Sequence, residues 1–249
     1  MRPYRHMLNV LLIALALPGL ATADLRERVE SALAATNPNL SVKSVQDSPV
    51  EGVKEIKLSN GQFLYAEPGS DHIFSGRLLS FTKDSWKDHT DERERQDRAQ
   101  RLQAVDQGTM ITYPATGGGK HEIYVFTDTT CPYCKRFHAH MADINQRGIT
   151  VHYLALPRSG LDSSAANNMA QIWCTADPQT ALTDAFAGKP LTQEVLPCRS
   201  PVADQYTMAK TLGVSGTPSV FGKDGRNLGG YMTPDELSAA IANTASLRN

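Results

Sequence analysis

Apolar and polar positions change their spacing several times along this 249-residue chain, and each change predicts an element. An apolar run from Met7 to Leu17 comes first, behind Arg2 and Arg5 and ahead of Pro18, Gly19 and Ala21-Thr22-Ala23. Leu25, Val29 and Leu33 then recur at helical spacing until Asn37-Pro38 stops the helix. Short strands are expected at Val42 to Val45, Val53 to Leu58, Phe63 to Ala66 and Ile73 to Phe81. Asn60-Gly61 and Gly69-Ser70-Asp71 supply hairpin turns between them.

From Lys83 to Gln107 the pattern becomes charged, with Asp88, Asp91, Glu92, Arg93, Glu94, Arg95, Asp97, Arg98 and Arg101 in a run free of Pro and Gly. Mixed signs at this density predict a solvated connecting helix. Gly117-Gly118-Gly119 precedes a strand and lacks the lysine and spacing of a phosphate loop, so it reads as a turn. Then β, α, β follows: a strand from Ile123 to Thr127, a helix from Pro132 to about Gln146 ended by Arg147-Gly148, and a strand from Ile149 to Ala155. Asp128-Thr129-Thr130 offers capping side chains, and Pro132 suits a first helical turn. Residues 162 to 213 read as mostly helical. Val220-Phe221 opens a hairpin around Lys223-Asp224-Gly225, and Thr233-Pro234-Asp235-Glu236 opens the last helix as a capping box.

Charge and length now sharpen the picture. The basic start, short apolar run and Ala-Thr-Ala end make residues 1 to 23 a secretory signal peptide. Its apolar run falls short of the roughly 20 residues of a spanning helix, and no later run reaches that length. Cleavage near Ala23 leaves 226 residues, with 23 basic and 26 acidic side chains, a net −3. That balance does not suggest a nucleic-acid partner, and the length leaves room for two cores.

The candidate chemistry lies in Cys131, Cys134, Cys174 and Cys198, an even count for which pairing is the default in an exported chain. Cys131 stands between a strand and a helix, where free backbone N–H groups stabilise a thiolate. Cys134 lies one helical turn further on, where it can close a disulfide with Cys131 or release a trapped partner. The same spacing also supplies half of a zinc site. A second close cysteine pair is missing, however, and His138 and His140 are separated by one residue. Redox exchange is therefore favoured over zinc binding and over a purely structural disulfide between Cys131 and Cys134, and it requires neither metal nor cofactor.

Phe126-Thr127-Asp128-Thr129-Thr130-Cys131-Pro132-Tyr133-Cys134 together with Gly216-Thr217-Pro218 resembles the DsbC/DsbG family of bacterial periplasmic thiol:disulfide interchange proteins, in its disulfide-isomerase branch. The resemblance covers essentially the whole mature chain. It implies an α/β thioredoxin-like catalytic domain with a helical insertion (108–249), a small α+β N-terminal dimerisation domain (24–82) and a linker helix (83–107). It also implies a V-shaped homodimer with an uncharged cleft for misfolded exported proteins carrying non-native disulfides, and a membrane thiol reductase of the DsbD type that keeps Cys131 and Cys134 reduced.

At the site it implies Cys131 and Cys134 as the catalytic, redox-active pair. It also gives a cis bond at Thr217-Pro218, with the Thr217 backbone and Tyr133 contacting substrate, and a structural disulfide between Cys174 and Cys198. One position departs from the isomerase branch: Pro132 stands where glycine is usual, and Pro-Tyr between the cysteines is common in the DsbG branch. His138 and His140 read as surface or packing residues and Trp173 as core. Isomerisation is the leading expectation. A reductase of oxidised single cysteines and a redox-independent holdase chaperone are the alternatives.

Overall fold

The computed structural model describes residues 18–246, with side chains from 22 to 243. Residues 1–17, most of the expected signal peptide, lie outside the described residues. The chain forms two compact units, one ending at Gly76 and the other beginning at Arg77. This division falls six residues before the expected 82/83 boundary.

In the first unit, helix α1 (Pro18–Thr36) lays Leu25 and Val29 against an antiparallel sheet. Its strands run in the order β1 (Val42–Asp47), β2 (Lys54–Leu58), β3 (Phe63–Ala66) and β4 (Phe74–Ser75). Val42, Ile56, Leu58, Leu64 and Ala66 complete the core. The strand expected from Ile73 to Phe81 is broken at Gly76, whose φ of 151° interrupts the extended conformation. Phe74 and Ser75 join the first sheet, whereas β5 (Leu79–Phe81) pairs with β6 (Trp86–Asp88) in a separate hairpin. Loss of pairing past the glycine ends a strand that propensity alone would continue.

The second unit is built on a five-stranded sheet in the order β11 (Asn227–Gly229), β10 (Ser219–Gly222), β8 (His121–Thr127), β9 (Ile149–Ala155), β7 (Ile111–Tyr113). Only β8 and β9 are parallel. Strand β8 is apolar at consecutive positions because both its faces are covered. Ile123 and Val125 face a core with Val151, Tyr153 and Phe137, while Tyr124 and Phe126 face another with Leu154, Phe221 and Leu102. Edge strand β7 was not expected; three residues carry too little alternation to be read before their partner on β9 is known.

Helix α2 (His89–Gln103) starts later than the charged run, because residues 79–88 form the β5–β6 hairpin. Asp88 caps it, accepting from the Asp91 N–H at 2.8 Å. It is no free tether. Leu102 is fully buried in the second core, the Arg98 guanidinium donates to the Gly225 carbonyl at 2.8 Å, and the Gln103 amide donates to the Lys223 carbonyl at 2.8 Å. Gly225, at φ 79°, lets the β10–β11 turn meet the helix backbone at Arg95 and Ala99, where no Cβ would fit.

The helix expected from Pro132 to Gln146 is divided into α3 (Pro132–His138) and α4 (Met141–Gln146). At the break the His140 N–H bonds the Phe137 carbonyl, three residues back, tightening the turn. Helices α5 (Ser164–Trp173), α6 (Pro178–Phe186), α7 (Val202–Thr211) and α8 (Pro234–Ser246) complete the unit. Cys174 and Cys198 are joined, tying the end of α5 to the irregular segment between α6 and α7, with their Cα atoms 5.7 Å apart. Trp173 is buried and donates its indole N–H to the Thr109 carbonyl at 3.1 Å.

Gly225→Ala should destabilise the protein by about 3 kcal/mol, because it combines an unfavourable φ with overlap onto backbone atoms that cannot swing aside. Gly188→Ala, with a similar φ of 77° but open space around it, should cost only about 1 kcal/mol. Denaturant unfolding of the two variants checks the difference; equal losses would mean that the contact with α2 is slack.

Candidate active site

The site begins with where β8 ends. Thr127 is its last residue, and the chain turns through Asp128, Thr129 and Thr130 into α3. The expected side-chain cap does not form. Cys131 itself occupies the N-cap position, with no side-chain cap hydrogen bond, and the Asp128 carboxylate turns back on its own loop. Its Oδ1 accepts from the Thr130 N–H at 2.8 Å and the Thr130 hydroxyl at 2.7 Å. Its Oδ2 accepts from the Arg158 N–H at 2.9 Å and the Arg158 guanidinium at 3.0 Å. Asp128 is fully buried, which opposes its ionisation, yet the four bonds from Arg158 and Thr130 outweigh that cost and hold its carboxyl below the usual range. The Asp128 carbonyl also accepts the Cys131 N–H at 3.0 Å, so one residue fixes both the loop and the start of the helix.

With the cap position given to a cysteine and with Pro132 carrying no N–H, the first free donors of α3 belong to Tyr133 and Cys134. Burial works against a charged Cys131 sulfur, since the residue is only 2% exposed. The Thr217 side chain, then the N–H of Cys134, the Cys134 thiol and the N–H of Tyr133 outweigh that penalty and lower its pKa below the ordinary thiol value. In the protonated form the Cys131 Sγ–H donates to the Thr217 carbonyl at 3.1 Å. Among the described residues the Thr217 hydroxyl then has no hydrogen-bond partner, so it is a donor in reserve for the thiolate.

Cys134 is fully buried, and burial pushes its thiol up to about 12 despite the Thr127 side chain and the Asp128 N–H. Two cysteines one turn apart thus differ in opposite directions: one ionises easily and the other holds its proton. This arrangement can attack a disulfide with one sulfur and resolve the product with the other.

The sequence-derived residues fall as follows. Cys131 and Cys134 are free thiols, Thr217 meets Cys131 across the fold, and Thr217-Pro218 is a cis peptide bond. Pro218 is buried, and Tyr133 is 53% exposed beside the dithiol. Cys174 and Cys198 pair with each other. His138 is buried, hydrogen-bonds Tyr153 at 3.3 Å and Thr183 at 3.0 Å, and burial lowers its pKa to about 4, so it stays neutral as a packing residue. The structure adds Arg158, Thr127 and Tyr231 to these residues. Thr127 lay inside the recognised motif, but Arg158 and Tyr231 reach the site only through the packing of distant loops.

A central β-sheet that delivers a Cys-x-x-Cys pair to a helix start, opposite a cis-proline loop, defines a thiol:disulfide oxidoreductase of the thioredoxin fold. Comparison with known proteins agrees at both ends of the chain. Residues 110–245 match the thioredoxin-like domain, and residues 19–90 match the disulfide bond isomerase protein N-terminal domain. Thiol:disulfide interchange protein DsbC of Escherichia coli (strain K12) is 38% identical over 233 residues, covering 93% of this chain and 92% of that protein. DsbC of Dickeya dadantii (strain 3937) is 37% identical over 241 residues, covering 96% and 95%. The crystal structure of a disulfide interchange protein from Neisseria gonorrhoeae aligns at 28% identity and a TM-score of 0.48, covering 56% of this chain and 98% of that one. The chain belongs to the DsbC family of thiol:disulfide interchange proteins.

In the reduced protein, Cys131 should alkylate before Cys134 at mildly acidic pH, as read by peptide mass spectrometry; preferential labelling of Cys134 would reverse the two roles. The same shifts set the pH dependence of stability. Because Cys131 is depressed, its contribution is present above the ordinary thiol value of about 9 and is lost as pH falls through the folded value. Because Cys134 is raised, its contribution is present below about 9 and is lost as pH climbs towards 12. Denaturant midpoints of the reduced protein across this range should follow both limbs.

Proposed function

We propose that Cys131 is the attacking thiol of a periplasmic protein disulfide isomerase and that Cys134 is its resolving thiol. The lowered pKa of Cys131 beside the raised pKa of Cys134 is the observation that carries this reading. The Cys131 thiolate attacks one sulfur of a wrong disulfide, forming a Cys131–substrate bond and releasing the other substrate sulfur as a thiolate. If a different substrate thiolate then attacks the trapped substrate sulfur, a new substrate disulfide forms and the Cys131 thiolate is regenerated, with no net oxidation. If Cys134, deprotonated, attacks Cys131 Sγ instead, the substrate leaves reduced by two electrons and the enzyme holds a Cys131–Cys134 disulfide. That escape route demands an external thiol reductant, for which a membrane reductase of the DsbD type is the proposed donor.

Tyr133 and the Thr217-Pro218 loop are the proposed substrate contacts. Because Cys131 is nearly covered, only a flexible segment can present its sulfur there, which suits misfolded exported chains. The first unit is the proposed dimerisation domain. Among the described residues strand β4 pairs on one side only, with β3, and it leaves Phe74 64% exposed and neighbouring Ile73 43% exposed, apolar surface that a second copy would bury. Two such units would bring two catalytic sites over one trapped chain and raise the local concentration of Cys131 around it.

Refolding of a scrambled multi-disulfide substrate tests the reading: the reduced protein should restore native pairing and the fully oxidised protein should not. Equal recovery with both would contradict it. A chain beginning at Arg77, which keeps α2 and its buried Leu102, should be monomeric by light scattering, retain reduction of a small disulfide and lose most recovery of scrambled substrate. Undiminished recovery by that monomer would show that the first unit serves something other than a shared cleft. A chain beginning at Gly108 removes Leu102 from the second core and should be about 3 kcal/mol less stable than the Arg77 form.

A further inference from the structure

Beside the dithiol lies a cluster that the exchange chemistry does not use. The Arg136 guanidinium sits 4.7 Å from the centre of the Tyr231 ring and 5.8 Å from that of Tyr133, and the two rings are 6.1 Å apart. Tyr133 and Arg136 come from α3, one on each side of Cys134, whereas Tyr231 comes from the loop between β11 and α8. That loop is packed on the cis-proline turn: a Cβ on Gly230 would lie 3.5 Å from the Pro218 carbonyl. The Tyr231 hydroxyl hydrogen-bonds His140 at 3.3 Å, holding the ring from the other side.

Arg136 is exposed, yet among the described residues it has no ion pair and no hydrogen bond. Of the acids on the neighbouring elements, Asp143 and Asp235 are both engaged by Arg147, at 2.8 Å and 2.6 Å, and Glu236 accepts from the Thr233 N–H and hydroxyl. A guanidinium held over a ring by cation–π attraction keeps N–H donors that the ring cannot accept, and these remain for a carboxylate. A planar fork fixed in this way loses little freedom on meeting a carboxylate, and it can do so with two parallel hydrogen bonds.

We propose that Arg136, held over the Tyr231 ring and beside Tyr133, is a specificity residue that receives a carboxylate from the substrate segment whose disulfide Cys131 attacks. This rests on the thiol-exchange reading. Arg136 lies five residues along α3 from Cys131, about 7.5 Å of helix rise, and an extended chain advances about 3.3 Å per residue, so the carboxylate belongs to an Asp or Glu about two or three positions from the target cysteine. The protein then favours wrong disulfides flanked by acidic residues, over and above the general attraction of Lys135 and Arg158 for anionic chains.

The test uses the reduced full-length protein and two peptides alike except for Glu or Gln two residues from a single cysteine, which is disulfide-linked to neutral 2-mercaptoethanol. At low salt the Glu peptide should react about threefold faster, the scale of an exposed ion pair, and the ratio should shrink as salt is added. Arg136→Gln should bring the ratio to unity. Arg136→Lys, which keeps the charge but not the planar fork, and Tyr231→Leu, which removes the ring beneath it, should each lose most of the preference. Because each variant is compared with itself on two peptides, a general loss of activity cancels in the ratio. Equal rates in the unsubstituted protein, or a full preference in Arg136→Gln or Arg136→Lys, would overturn the inference. If neither peptide reacted with the reduced protein, the exchange reading would fall and this inference with it.

Discussion

A negative charge on a nearly covered sulfur is the constraint around which the second unit is organised. Burial alone would keep Cys131 protonated, so donors must be aimed at its sulfur before any substrate arrives. The Thr217 hydroxyl across the fold provides one, and the helix start provides the others because its first N–H groups are left to the sulfur. Cys131 takes the cap position, Pro132 brings no donor, and the Asp128 carboxylate is occupied by Thr130 and Arg158 rather than by the helix. Three residues on, deeper burial outweighs the donors offered by Thr127, Asp128 and Thr217 and leaves Cys134 a poor acid. The asymmetry comes from placement, since the two side chains are chemically identical.

The rest of the unit keeps that placement rigid. Strand β8 is held by β9 and β10 and is packed on both faces, so the residue that follows it has little room to drift. Helix α2 braces the far turn of the sheet through Gly225, Lys223 and Leu102, which makes it part of the catalytic unit in packing terms despite its charged, linker-like composition. The Cys174–Cys198 bond commits the other two cysteines to each other, so the thiols left for exchange are the two at the helix start.

Much of this was legible in the sequence where the signal is local. The dithiol motif, strand β8, the helix-opening Pro132 and the capping box of α8 each depend on a few adjacent residues. In that box the Thr233 N–H and hydroxyl both donate to Glu236, at 2.8 and 2.9 Å. What escaped depends on partners remote in the chain. Strand β7 exists because β9 offers it an edge, α2 is anchored by a turn 120 or more residues later, and the strand expected across Gly76 divides because its halves pair with different neighbours. Arg158 and Tyr231 are ordinary surface letters until folding sets one against Asp128 and the other beneath Arg136. The Asp128 side chain was expected to cap the helix; a better partner, thirty residues away, took it.

Trapping the covalent intermediate tests the central claim most directly. Reduced Cys134→Ser protein, incubated with a scrambled multi-disulfide substrate and quenched with acid, cannot resolve its mixed disulfide through position 134. Non-reducing digestion and mass spectrometry should place the substrate bond on Cys131, and Cys131→Ser protein should trap nothing under the same conditions. A substrate bond on Cys134 in the Cys131→Ser protein, with none on Cys131 in the other, would contradict the account.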